Sequence, residues 1–140
     1  MCIRDSLKIF DELIIAVGDN RAKKPLFPKE RRLAQITEIF ADNPAITVMS
    51  FDGLLVDFAR ELNVFTIIRG LRAVSDFDYE FQLSCFNRKL EPRIESFFMM
   101  TGEKYFYISS AMIRLASEMD ADVSDFVPPN VLADLRSMKR

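Results

Sequence analysis

The 140-residue chain is 49% hydrophobic, enough to build one core and too short for two ordinary domains. Its formal net charge of −2 excludes a general electrostatic attraction to nucleic acid or to an anionic membrane, so any phosphate binding must come from a local cluster of cations. With no histidine, and with Cys2 and Cys85 far apart, most zinc sites, thiol–imidazole nucleophiles and imidazole acid–base chemistry are excluded as well. No apolar run approaches the roughly 20 residues of a membrane span and no secretory signal pattern is present, which points to a cytoplasmic protein.

In chain order, Met1 to Ser6 reads as foreign sequence, and Ser6 to Phe10 as the last turn of a helix. The first strand signal is Leu13 to Val17. A helix is expected over Pro28 to Ala41, with Pro28 at its first position and Leu33, Ile36 and Phe40 on one stripe. Then come strand Ile46 to Met49, helix Leu54 to Leu62, strand Val64 to Ile68, helix Asp76 to Lys89 and strand Ile94 to Met100. Helices Ser109 to Met119 and Val131 to Met138 close the chain, the second after Pro128-Pro129. The strands are continuously apolar, which suits parallel strands covered on both faces, and the βαβαβ alternation predicts an α/β, doubly wound, Rossmann-like parallel sheet. Such a sheet begins with a strand that lies in its middle, and none precedes the Ser6 to Phe10 turn. The expectation is therefore a sheet lacking its first strand, in a destabilised or aggregation-prone chain.

The residues able to carry chemistry fall after strands or at helix starts. In Ile67-Ile68-Arg69-Gly70-Leu71-Arg72, two guanidinium forks flank a glycine turn at a strand's carboxyl end, where open α/β sheets bind ligands; the competing reading is a solvated loop. Ser75 suits a helix N-cap, and Asp76, Asp78 and Glu80 suit the first turns by the helix dipole. Asp76 and Glu80 are also four apart, so both can point toward Arg69 and Arg72 or toward a ribose or adenine edge. Asn20 to Leu26 places Arg21, Lys23 and Lys24 on a short loop, suited to a phosphate or to a solvated turn. In Tyr105 to Arg114, Ser109 reads as a cap, with Ile108 and Ile113 as a hydrophobic staple, and the free N–H groups there could hold an anion.

These segments together resemble the phosphopantetheine adenylyltransferases of the nucleotidyltransferase superfamily. The resemblance runs from about Phe10 to the C-terminus. It rests on Lys23-Lys24-Pro25-Leu26-Phe27, on Ile68 through Glu80, on Asn87-Arg88 and on Ile108-Ser109-Ser110. It implies a single nucleotidyltransferase domain over 1–140. It also implies adenylyl transfer from ATP, with Mg2+, to 4′-phosphopantetheine, giving dephospho-coenzyme A and pyrophosphate, in a homohexamer. Carried over by position, Lys23, Leu55 and Arg69 would bind phosphopantetheine. Gly70, Leu71, Arg72, Glu80, Tyr105, Phe106, Tyr107, Ile108, Ser109, Ser110 and Ala111 would contact ATP, with Lys23 and Arg72 supplying supporting charge. The family's Gly-Thr-Phe-Asp-Pro and Thr-x-Gly-His loop does not occur in these residues, which implies impaired turnover, and Ala111 stands where the family often has serine. The competing expectations are another adenylyl- or cytidylyltransferase, or a non-catalytic nucleotide-binding subunit.

Overall fold

A computed structural model describes residues 2–19, 24–102 and 105–138. The elements run α1 (Cys2–Ser6), β1 (Leu13–Val17), α2 (Lys29–Ile39), β2 (Ile46–Ser50), α3 (Leu55–Glu61), β3 (Thr66–Leu71), α4 (Val74–Leu90), β4 (Glu95–Met100), α5 (Ser110–Glu118) and α6 (Pro129–Ser137). All strand pairing is parallel, β1 with β2 and β3 with β4, and a helix connects each pair, as the α/β reading requires. The parallel strands stand as two two-stranded pairs with no strand between them, in keeping with a sheet expected to lack its middle strand, so each of the four strands keeps one edge without a strand partner among the described residues.

Each pair carries its own helices. α2 packs on β1 and β2 and is held to α6, where Arg31 forks onto Asp134 with two 2.6 Å hydrogen bonds. α4 packs on β3 and β4. Alternation along β4 divides the two faces of that pair. Phe98 meets Phe77 of α4 at 5.8 Å, while Phe97 points the other way and meets Phe10 edge-on at 5.6 Å. Ser6 Oγ donates to Met99 Sδ at 3.2 Å on that second face, which seats α1 across the sheet from α4.

Several local expectations are corrected. Helical hydrogen bonding does reach Phe10, whose N–H donates to Ser6 O, although α1 itself ends at Ser6. Pro28 is the N-cap of α2 rather than its first residue. Strand β3 starts and ends later than its apolar run suggests. Asn63 takes a positive φ of 53°, and the N–H groups of Asn63 and Val64 donate to Arg60 O and Ala59 O, so these residues serve as the C-terminal cap of α3. The strand then continues through Gly70 and Leu71, which pair with Met99 and Met100, so Gly70 is a strand residue and the turn begins at Arg72. α4 starts at Val74 with Ala73 as N-cap, and Ser75 is not the cap. Asp76 reaches back instead and accepts from Arg72 N at 3.1 Å.

Apolar burial is thin. The clustered core comprises Val56 and Ala59 of α3 with Ile94, joined by Phe65 and Ile67. The accessible surface is 9930 Å2, against roughly 7,500 Å2 expected for a compact monomer of this mass. Large apolar side chains lie exposed, including Val74, Tyr79, Phe81 and Phe86 on α4 and Met100 on β4. Among the described residues no helix is long and apolar enough to cross a membrane.

Candidate functional site

The carboxyl ends of the four strands are linked to one another by charged side chains. At the end of β3, Arg69 lies on the sheet face that carries α4, and its fork meets both carboxylate oxygens of Glu80 at 2.6 Å. The pair is half-buried, with side-chain exposures of 38% and 13%, and the Glu80 hydrogen bonds hold the Arg69 guanidinium above its ordinary pKa. The four-residue spacing of Asp76 and Glu80 thus aims both carboxylates at the β3 arginines.

Arg72 begins the turn after β3. Its Nε and a terminal nitrogen donate to Asp76 at 3.1 and 3.2 Å, and its other terminal nitrogen donates to Ile108 O at 3.0 Å. These side-chain bonds, together with the one from Arg72 N, hold the Asp76 carboxyl below the usual carboxylate range. One arginine therefore ties the end of β3 to the segment leading into α5. There Ser109 caps the helix, accepting from Met112 N at 3.2 Å as its sequence position suggests. A cleft of about 650 Å3 opens beside Arg72, lined also by Thr101, Tyr105 and Ile108, by residues 125–128 and by Arg4 and Asp5.

Of the other residues singled out from sequence, Gly70 is exposed on β3, and Leu71 is buried at 5% exposure. Phe106 and Tyr107 are exposed and meet edge to face at 5.6 Å. Ser110 and Ala111 form the exposed first turn of α5, and Leu55 is a half-buried first residue of α3 after β2. Lys23 lies outside the described residues.

Sequence reasoning missed a second set of residues that organises the rim. Arg114 of α5 donates to Lys24 O at 3.1 Å, joining α5 to the loop after β1, and its buried Nε has no hydrogen-bond partner among the described residues. Lys29 and Arg32, in the first turn of α2, reach Asp19 after β1, and Lys29 also reaches Asp52 after β2. A sequence signal did exist for them. Lys29, Arg31 and Arg32 are cations at a helix N-terminus, where the macrodipole disfavours them, and such a local conflict marks a tertiary demand. Arg31 is accounted for by Asp134, and Lys29 and Arg32 by Asp19 and Asp52. Chemically, the rim offers guanidinium and ammonium groups suited to phosphate oxygens. Among the described residues there is no group of three or more His, Cys, Asp or Glu side chains able to hold a metal.

A family described as cytidylyltransferase-like matches residues 1–116. A phosphopantetheine adenylyltransferase of Anaeromyxobacter dehalogenans (strain 2CP-C) is 47% identical over 134 residues, covering 96% of this chain and 82% of the relative. One from Lawsonia intracellularis (strain PHE/MN1-00) is 48% identical over 129 residues, 92% of this chain and 75% of its own length. One from Thiobacillus denitrificans (strain ATCC 25259 / T1) is 43% identical over 129 residues, 92% of this chain and 81% of its own length.

Proposed function

Because the chain belongs to the phosphopantetheine adenylyltransferase family, within the cytidylyltransferase-like nucleotidyltransferases, we propose that it transfers the adenylyl group of ATP to 4′-phosphopantetheine in coenzyme A biosynthesis. A phosphate oxygen of the acceptor attacks the α-phosphorus of ATP in line. The new O–P bond gives dephospho-coenzyme A, and the α–β bridging bond breaks to release pyrophosphate. A phosphate monoester has its second pKa near 6, so the nucleophile is already a dianion at neutral pH and needs no general base. What the protein must supply is alignment of two anions and neutralisation of their charge.

The observation that carries the reading is the joining of Arg69–Glu80 and Arg72–Asp76–Ile108 at one end of β3. On this reading Arg69, Lys23 and Leu55 take the acceptor side. Gly70, Leu71, Arg72, Glu80 and the segment from Tyr105 to Ala111 take the nucleotide. Arg114, with a buried nitrogen lacking a partner among the described residues, is a further group suited to a phosphate oxygen. Mg2+ would arrive with the nucleotide's phosphates. The described residues offer it no carboxylate cage, so no step is assigned to it.

We extend the proposal to a cytoplasmic protein that works as a homo-oligomer, a hexamer by family. The association is supported by the surface excess and by the aromatic side chains left exposed on α4. A second reading, nucleotide binding without turnover, is favoured by one observation: these 140 residues contain no imidazole. The test is pyrophosphate release from ATP with and without 4′-phosphopantetheine, run beside calorimetric titration of each ligand. Acceptor-dependent release supports the transferase. ATP binding with no release at any acceptor concentration supports the second reading, and binding of neither ligand sinks both.

A further inference from the structure

Lys29 and Arg32 lie three residues apart in the first turn of α2 and direct their cations off the helix onto the ends of two loops. Arg32 makes three connections. Its guanidinium donates to Gly18 O at 3.1 Å, to Phe27 O at 3.3 Å and to the Asp19 carboxylate at 2.5 Å. Gly18 and Asp19 open the segment between β1 and α2, and Phe27 closes it, so one side chain spans the base of the segment that carries the chain's Arg21, Lys23 and Lys24. Lys29 donates to Asp52 at 2.5 Å and lies 3.9 Å from the same Asp19. Asp52 belongs to the turn after β2, three residues before Leu55. The chain Asp52–Lys29–Asp19–Arg32 therefore clips the β1–α2 segment to the β2–α3 turn.

The chemistry of the clip is specific. Both cations are mostly covered, with side-chain exposures of 17% for Lys29 and 24% for Arg32, although the dipole of α2 opposes positive charge at that end. A fork with donors in fixed directions can hold two backbone carbonyls and a carboxylate at once, which an ammonium cannot. Close by, the ring of Phe51 closes over Gly18: a Cβ on Gly18 would come within 2.5 Å of it, so the two loops also meet through carbon.

We propose that Lys29 and Arg32 are positioning residues for the acceptor phosphate, acting through the two loops they clip and touching neither substrate. The proposal rests on the adenylyl-transfer reading and deepens it by separating the acceptor side from the nucleotide side, where neither residue has a hydrogen bond or ion pair among the described residues. Loss of one well-placed charge-assisted hydrogen bond to the phosphate corresponds to about tenfold or more in affinity.

The test uses the full chain, with calorimetric titration of 4′-phosphopantetheine and of ATP in separate experiments and the melting temperature of each variant. Arg32→Ala is expected to weaken phosphopantetheine binding about tenfold or more while ATP binding stays within about twofold. Arg32→Lys is expected to recover only part of the loss, and millimolar guanidinium ion to restore binding to Arg32→Ala. Asp19→Asn and Lys29→Met, which keep the side-chain sizes close, are expected to shift the same ligand in the same direction. If both ligands weaken equally in Arg32→Lys and Asp19→Asn, or if neither does, the positioning role is overturned. A wild-type chain that binds ATP but no phosphopantetheine overturns the acceptor assignment, whereas one that binds neither overturns the adenylyl-transfer reading itself.

Discussion

Arg69 and Glu80 grip one another through two parallel hydrogen bonds of 2.6 Å, joining the end of β3 to the second turn of α4. On the proposed reading, in which Arg69 holds the acceptor phosphate, it does so as one half of a preformed pair whose plane is fixed before the phosphate arrives. Glu80→Gln keeps the shape and one acceptor but loses the charge-assisted fork. The expected result is a loss of about 1 to 2 kcal/mol in unfolding free energy, at the low end because the Arg69 side chain is 38% exposed, with phosphopantetheine affinity about tenfold weaker. Urea unfolding and calorimetry check it. Unchanged affinity would mean that Glu80 does not orient Arg69.

Arg72 bridges Asp76 and Ile108 O, two partners in different directions that need a planar fork. Arg72→Lys is expected to release the segment before α5 and weaken ATP binding about tenfold, with phosphopantetheine affinity within about twofold. Titration of each ligand reads this directly. An equal loss for both would remove Arg72 from the nucleotide side.

Glu91, buried after α4, accepts from Arg93 and Arg60, and these bonds hold its carboxyl at about 2, below the ordinary 4.5. The sign follows from the depressed value: its contribution to stability is fully present above about pH 4.5 and is lost as pH falls toward 2. Arg93 also lies 4.0 Å over the Phe65 ring, so the same residues anchor the start of β3. The expected outcome is a melting temperature that falls between pH 4.5 and 2 more steeply in the wild type than in Glu91→Gln. Parallel curves would show that other carboxylates govern the acid limb.

Phe81 and Phe86 of α4 are 51% and 56% exposed on a chain whose surface exceeds the compact-monomer value by roughly 2,500 Å2. That excess is of the size a stable protein–protein interface removes. Sedimentation velocity is expected to show concentration-dependent association in the wild type and a shift toward monomer in Phe81→Glu and Phe86→Glu. A wild type that stays monomeric at high concentration would rule out association through α4.

The sequence alone was enough for the order and type of the elements after Phe10. Continuous apolar runs such as Leu13 to Val17 mark strands, although these strands are not covered on both faces as expected, and the stripe on α2 marks a helix, because both signals are local. The pairing of Arg69 with Glu80 was one of the alternatives it left open: two residues four apart on a helix share a face, but the spacing does not say what that face meets. Boundaries set by capping were harder to read. Val64 belongs to the cap of α3, and Gly70 to β3, because the backbone hydrogen bonds that decide this join residues outside the apolar pattern. Only the tertiary structure could show that the strands stand as two separate pairs, that Arg32 spans Gly18, Asp19 and Phe27, and that Arg114 meets Lys24 across 90 residues. Long side chains choose partners by distance in space, and periodicity along a chain carries no record of that distance.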